Sequence, residues 1–189
     1  MVMLVVGLAL FLGIHSVAMV NEGVRDGLIE KLGEGPWKGI YSVVSLVGFA
    51  LIVMGFGAAR MAPSFVWTPP TGLRHVALLV LLPVFPLLFA AYLPGRISRL
   101  ARHPMLLATG LWGAAHLMAN GTLADLLLFG GFAGWALLDA LSFRTRTQRA
   151  IPMAPEGKLN DIIAVVGGLG TYVAFVLWLH TLLIGVSVV

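Results

Sequence analysis

The chain has 189 residues, of which 59% are hydrophobic and only 11% charged, with a formal net charge of +4. That balance cannot be packed into one soluble domain of this length, so it indicates a polytopic membrane protein with a single domain over 1–189 and no polar stretch long enough for a second core. With no cysteine, disulfides, iron–sulfur clusters, covalently attached haem and thiol nucleophiles are excluded, leaving histidine, carboxylate and methionine for any metal chemistry.

Six apolar segments follow in chain order, near residues 2–20, 39–59, 75–93, 104–119, 123–142 and 162–187. Each approaches the roughly 20 residues that cross a hydrocarbon core, the fourth being the shortest. The expected fold is therefore all-α, a membrane bundle of about six helices. Met1 to Val6 carries no basic residue and no small-residue cleavage site ends the first segment, so it is expected to stay as a helix. Arg25, Lys31, Lys38, Arg96, Arg99, Arg102, Arg144, Arg146, Arg149 and Lys158 fall in the odd loops, against only Arg60 and Arg74 in the even ones. Ten against two orients those odd loops to the cytoplasm and both termini to the periplasm or exterior. The positive charge thus reflects topology, and there is no interleaved basic and aromatic patch of the kind that binds nucleic acid.

Between the first two segments, Val24, Leu28, Ile29 and Leu32 share a helical face, with charged residues elsewhere. This predicts a short amphipathic helix in the interface, stopped by Gly33, Gly35 and Pro36 and anchored by Trp37. Pro83 and Pro86 each lack a backbone donor, so the third segment should bend near its middle. Pro104 is suited to open the fourth helix. Asn120-Gly121 predicts a tight turn, after which Thr122 and Asp125 can form a capping pair for the fifth helix. Rows of small residues at Gly110, Gly113 and Ala114, at Gly130, Gly131 and Gly134, and at Gly167, Gly168 and Gly170 suit close helix packing; none joins a strand to a helix as a nucleotide loop requires.

Five histidines carry whatever chemistry is present. His116 follows Trp112 by one helical turn on a stripe with Met105, Ala108 and Ala119; His15 has Phe11 and Met19 one turn to either side; His180 lies in the outer half of the last segment. An imidazole at membrane depth calls for a ligand, a relay partner or an interhelical hydrogen bond. His75 and His103 sit at segment ends, where water is available. His103 and His116 are thirteen residues apart, about 20 Å of rise, so they cannot bind one metal ion together. Measured from the segment centres, His15 lies about 6 Å inward and His116 about 6 Å outward, so on depth alone His116 with His180 is the easier pair. Among the eight acidic residues only Asp125 and Asp139 lie near membrane depth, the first with a capping role and the second close to Arg144 and Arg146 as an interfacial ion pair.

Phe11-Leu12-Gly13-Ile14-His15, Gly39-Ile40-Tyr41-Ser42, Trp67-Thr68-Pro69-Pro70, Pro94-Gly95-Arg96, Arg102-His103-Pro104-Met105 through Leu111-Trp112, His116 to Gly121, and Leu179-His180 to Val186 occur in an order and spacing that resemble the NnrU family over nearly the whole chain. The resemblance implies a bacterial inner-membrane protein associated with denitrification, in the handling of nitrite and nitric oxide, with membrane lipids and possible denitrification reductases as partners. The family is also similar to plant 15-cis-zeta-carotene isomerase, a membrane enzyme holding haem b through histidines. That similarity implies haem b on His15 and His116, with His103 as the histidine before proline; depth makes His180 the alternative ligand, and Trp112, one turn before His116, and Arg102, a cation for the propionates, are further cofactor-binding candidates. The similarity leaves an enzyme acting on a lipid-soluble polyene and a non-catalytic assembly or expression factor both open. Arg-His-Pro also resembles the methyl-donor motif of isoprenylcysteine-type membrane methyltransferases, although Leu106 stands where that motif has an aromatic residue.

Overall fold

The computed structural model describes residues 1–146 and 152–188. Arg149, counted above among the cytoplasmic charges, lies outside the described residues. The chain is 78% helical, without strands among the described residues. It is an all-α polytopic membrane bundle. The helices are α1 (Val2–Val20), α2 (Glu22–Leu32), α3 (Glu34–Met61), α4 (Gly72–Leu81), α5 (Val84–Ala90), α6 (Arg96–Ala101), α7 (Pro104–Ala119), α8 (Leu123–Ser142), α9 (Asn160–Ala174) and α10 (His180–Ile184), with one turn of π-helix over Phe175–Leu179 joining the last two. Among the described residues, five stretches are long and apolar enough to cross a membrane: α1, α3, α4 with α5, α8, and α9 through α10. The expected fourth span is α7, whose 16 residues rise about 24 Å against a core of about 30 Å.

The chain forms two compact units, Met1–Pro69 with Asn120–Gln148, and Pro70–Ala119 with Arg149–Val189. In the first, α1 and α3 run antiparallel at unusually close range. A Cβ placed on Gly7 would sit 2.6 Å from the Ile52 backbone nitrogen, one on Gly48 2.8 Å from that of Phe11, and one on Gly55 would overlap the Leu4 backbone. Leu4 is fully buried at this seam. Close backbone approach is what small residues permit between membrane helices, where lipid competes equally well for larger side chains. These are not the glycines singled out above: Gly110, Gly130 and Gly134 have nothing within 4 Å of an added Cβ, whereas Gly167 and Gly168 do serve a seam, the latter against Pro86 in the second unit.

The amphipathic helix forms as α2, with Asn21 accepting from the Val24 N–H as its N-cap and Gly33 ending it at φ 87°. Gly35 and Pro36 do not stop it; they belong to the first turn of α3, where a missing proline N–H costs nothing. Trp37 is not an exposed anchor but is 7% exposed. Near the α8 start the Thr122–Asp125 capping box is complete, and the N–H groups of Val66 and Trp67 donate to the Gly121 carbonyl at 2.8 and 3.2 Å. Asp139 pairs with Arg146.

In the second unit the proline interruption falls between Leu81 and Val84. Leu82 N–H turns back to the Leu79 carbonyl instead of continuing the helix. The Leu78 carbonyl, left without its helical donor, accepts from the Tyr172 hydroxyl of α9 at 3.0 Å. A freed backbone acceptor in a span must be met by a neighbouring helix, and this one is. Val84, Leu87 and Ala108 form the buried centre here, with Trp112, Leu111 and Ile97 packed on it.

Candidate functional site

His15 in the first unit and His116 in the second use the same local device. On α1, His15 Nδ1 lies 2.6 Å from the Phe11 carbonyl oxygen; on α7, His116 Nδ1 lies 2.8 Å from the Trp112 carbonyl oxygen. A carbonyl only accepts, so Nδ1 must carry the proton in each ring, and in His15 the Nε2 lone pair is left for another partner. The residue supplying the carbonyl is aromatic in both cases, with ring centroids 4.3 Å apart for Phe11–His15 and 5.1 Å for Trp112–His116. His180 reaches the same state by a different route. Its Nδ1 is 2.8 Å from the Val186 oxygen, beyond the helix end at Gly185, which turns with φ 76°. The π turn immediately before His180 shifts its direction relative to α9, and such turns recur at functional sites.

Around His15 the walls come from three helices. Tyr41 of α3 lies 5.1 Å away centroid to centroid, and Trp135 of α8 meets the imidazole edge-on at 6.1 Å. The Trp135 indole N–H donates to Ser16 Oγ, and Ser16 in turn donates to the Leu12 carbonyl. These groups are saturated within unit 1. A cavity of about 290 Å³ opens beside the ring, lined by Ile14, His15, Trp37 and Tyr41 with Arg25, Glu34 and Lys38.

The Arg-His-Pro corner lies in unit 2, between α6 and α7. Arg102 takes φ 56° and ψ −50°, and the His103 N–H donates to the Ala101 carbonyl across it. That is a γ-turn of the rare, strained hand, a conformation a non-glycine residue holds only when its surroundings demand it. It reverses the chain so that Pro104 can open α7. A second feature braces the same stretch. Asp161 of α9 accepts from the backbone N–H groups of Arg96 and Ile97 at 2.9 and 3.0 Å, capping α6 from a distant part of the sequence. Asn160 holds the Pro94 carbonyl at 2.8 Å and the Pro155 carbonyl at 3.0 Å.

Of the residues picked out from sequence, His116, Trp112, His103, Arg102 and His180 all belong to unit 2, while His15 belongs to unit 1. His75 is exposed, as its position at a helix start implied. Sequence reasoning missed Asp161 and Asn160, since neither stands in a periodic pattern. The only signal was Gly95, where any side chain would overlap the Asp161 carboxylate. Tyr41, Ser16 and Trp135 were also missed. Among the described residues, no three or more histidines and carboxylates gather into a metal-binding group. A metal held by side chains alone has no site there, whereas haem brings four nitrogens of its own and needs only one or two protein ligands.

The sequence model of the family described as NnrU protein matches residues 3–188. The chain belongs to the NnrU family. No curated protein and no solved structure matches it. Family membership over nearly the full length puts both histidine seats, the strained corner and the Asp161 clamp within one NnrU unit of sequence.

Proposed function

We propose that this NnrU-family membrane protein carries haem b in the bacterial inner membrane, with His116 as an axial ligand and a role in nitrite and nitric oxide metabolism beside the membrane-bound reductases. The observation that carries the reading is the Nδ1–carbonyl bond of the membrane histidines. A histidine that ligates a metal through one nitrogen typically donates the other to a carbonyl or carboxylate, which fixes both tautomer and ring orientation. Haem, when bound, supplies a redox-active iron that can transfer an electron or take up a small ligand. Trp112, packed on Val84, Leu87 and Ala108, holds the His116 turn in place. His180 belongs to the same compact unit as His116, and the π turn before it sets its direction. Arg96, Arg99 and Arg102 provide cations for carboxylate groups at the polar edge.

The test is the optical spectrum of gently purified protein, oxidised and reduced. His116→Ala, His116→Met and His116→Gln should each abolish or shift the Soret band while helical content and membrane insertion persist. His180→Gln should reproduce that loss if it is the second ligand, and His15→Gln if the pairing implied by resemblance holds. An unaltered haem spectrum after His116→Ala, or protein that never binds haem, would remove the reading. The orientation is tested separately: reporter fusions after Lys158 should read cytoplasmic and fusions after Val189 periplasmic.

A further inference from the structure

We propose that the cavity beside His15 binds the hydroxylated ring of a membrane-soluble quinol. The polar groups along its walls carry the argument. The His15 Nδ1–H is taken by the Phe11 carbonyl, which leaves Nε2 as an acceptor. Tyr41, whose ring centroid is 5.1 Å from that of His15, offers a phenolic donor. Among the described residues neither Nε2 nor the Tyr41 hydroxyl has a hydrogen-bond partner, although both residues line one cavity of about 290 Å³ and both are half-buried. An unmet acceptor on α1 and an unmet donor on α3, lining one part-buried cavity, suit an occupant that meets both.

The occupant's chemistry follows from what is left over. The charges lining the cavity are already neutralised: Lys38 pairs with Glu34 at 2.8 Å and Arg25 with Asp26 at 3.0 Å. An anionic headgroup therefore gains little there, and a neutral ligand fits better. Ile14, Val17, Ala18 and Trp37 supply apolar and aromatic walls for a flat ring. A hydroxyl both donates and accepts, so it can give its proton to His15 Nε2 while taking one from Tyr41. A quinone carbonyl only accepts and can use Tyr41 alone. The position agrees with a lipid-soluble molecule whose polar ring rests at the membrane edge. His15 stands five residues before the end of α1, about 8 Å of rise, and the amphipathic α2 follows directly. The proposal concerns binding and does not depend on haem at His116.

The experiment is an anaerobic calorimetric titration of the full chain in nanodiscs with decylubiquinol and, separately, decylubiquinone. The quinol should bind saturably and about three- to tenfold more tightly than the quinone, the worth of one added neutral hydrogen bond. His15→Phe should bring quinol affinity down to that of the quinone and leave quinone affinity unchanged, whereas Tyr41→Phe should weaken both. Tyr41→Phe keeps the ring and its packing, so it reports on the hydroxyl even if His15→Phe folds poorly. Unsaturable partitioning that is the same in wild type and Tyr41→Phe would overturn the proposal, as would equal affinity for the two oxidation states. Loss of a haem band in His15→Phe would also overturn it, by assigning Nε2 to iron.

Discussion

His15 and His116 share their local construction and differ in everything a single helix cannot supply. Each donates Nδ1–H to the carbonyl of an aromatic residue one turn earlier. His116 rises from a helix whose Trp112 is packed into the Val84–Leu87–Ala108 core. His15 stands among Phe11, Tyr41 and Trp135 at the edge of a cavity with charged residues in its lining. A helical turn is enough to choose the tautomer. What the remaining nitrogen meets depends on neighbouring helices, so one device can serve as an iron ligand in one seat and a hydrogen-bond acceptor in the other.

If the seats depend on their seams, the largest effect should come from filling a seam glycine. In unit 1, Gly55→Val would drive a branched side chain into the Leu4 backbone and should cost about 3 kcal/mol, the upper part of the usual overpacking range, or prevent folding. Gly168→Val against Pro86 should do the same in unit 2. Thermal or denaturant unfolding in detergent reads both, and a tolerant Gly55 would mean that α1 and α3 can move apart.

The next effect compares two ion pairs in unit 1. Asp139 and Arg146 are nearly buried, with side chains 11% and 15% exposed. Arg146→Ala leaves a carboxylate unpaired in a dry site and should destabilise by about 3 kcal/mol. Arg25→Ala, which breaks a more exposed pair, should cost less than about 1 kcal/mol by the same unfolding measurement. Equal losses would place Asp139 in contact with water.

At the strained corner the sign reverses. Arg102→Gly relieves a positive φ and should raise the unfolding free energy by about 1 kcal/mol, the low end of the cost of such a conformation. The same variant should lower haem retention if the guanidinium holds a carboxylate of the cofactor. A stability gain with unchanged retention would assign Arg102 to orientation alone. Smallest of all, Gly57→Ala meets open space on α3 and should shift stability by no more than about 0.5 kcal/mol. Set beside Gly55→Val, it separates the seam from general helix propensity.

Much of the fold was legible because it depends on neighbours along the chain. The apolar stretches, the α2 amphipathic face, the proline break at Leu82–Pro83 and the Thr122–Asp125 cap are all short-range consequences of residue type and spacing, and the structure contains each of them. The Asp139 ion pair was also readable, since its partner lies seven residues away. The family was legible through motifs in order along the chain.

The sites were legible only in half. Sequence alone placed His15, His116 and His180 on apolar helices and showed that no cysteine chemistry is available. It did not choose which glycines form seams, because Gly55 and Gly57 are equivalent in composition and only the backbone opposite one of them distinguishes the two. Nor did it place Tyr41 beside His15 or the Asp161 carboxylate over the α6 amides, contacts that span 26 and more than 60 residues. Local hydrogen bonding within a turn is decided by a few adjacent residues. The surroundings of an imidazole are decided by helix–helix register, which rests on sub-ångström steric fits that only the assembled helices reveal.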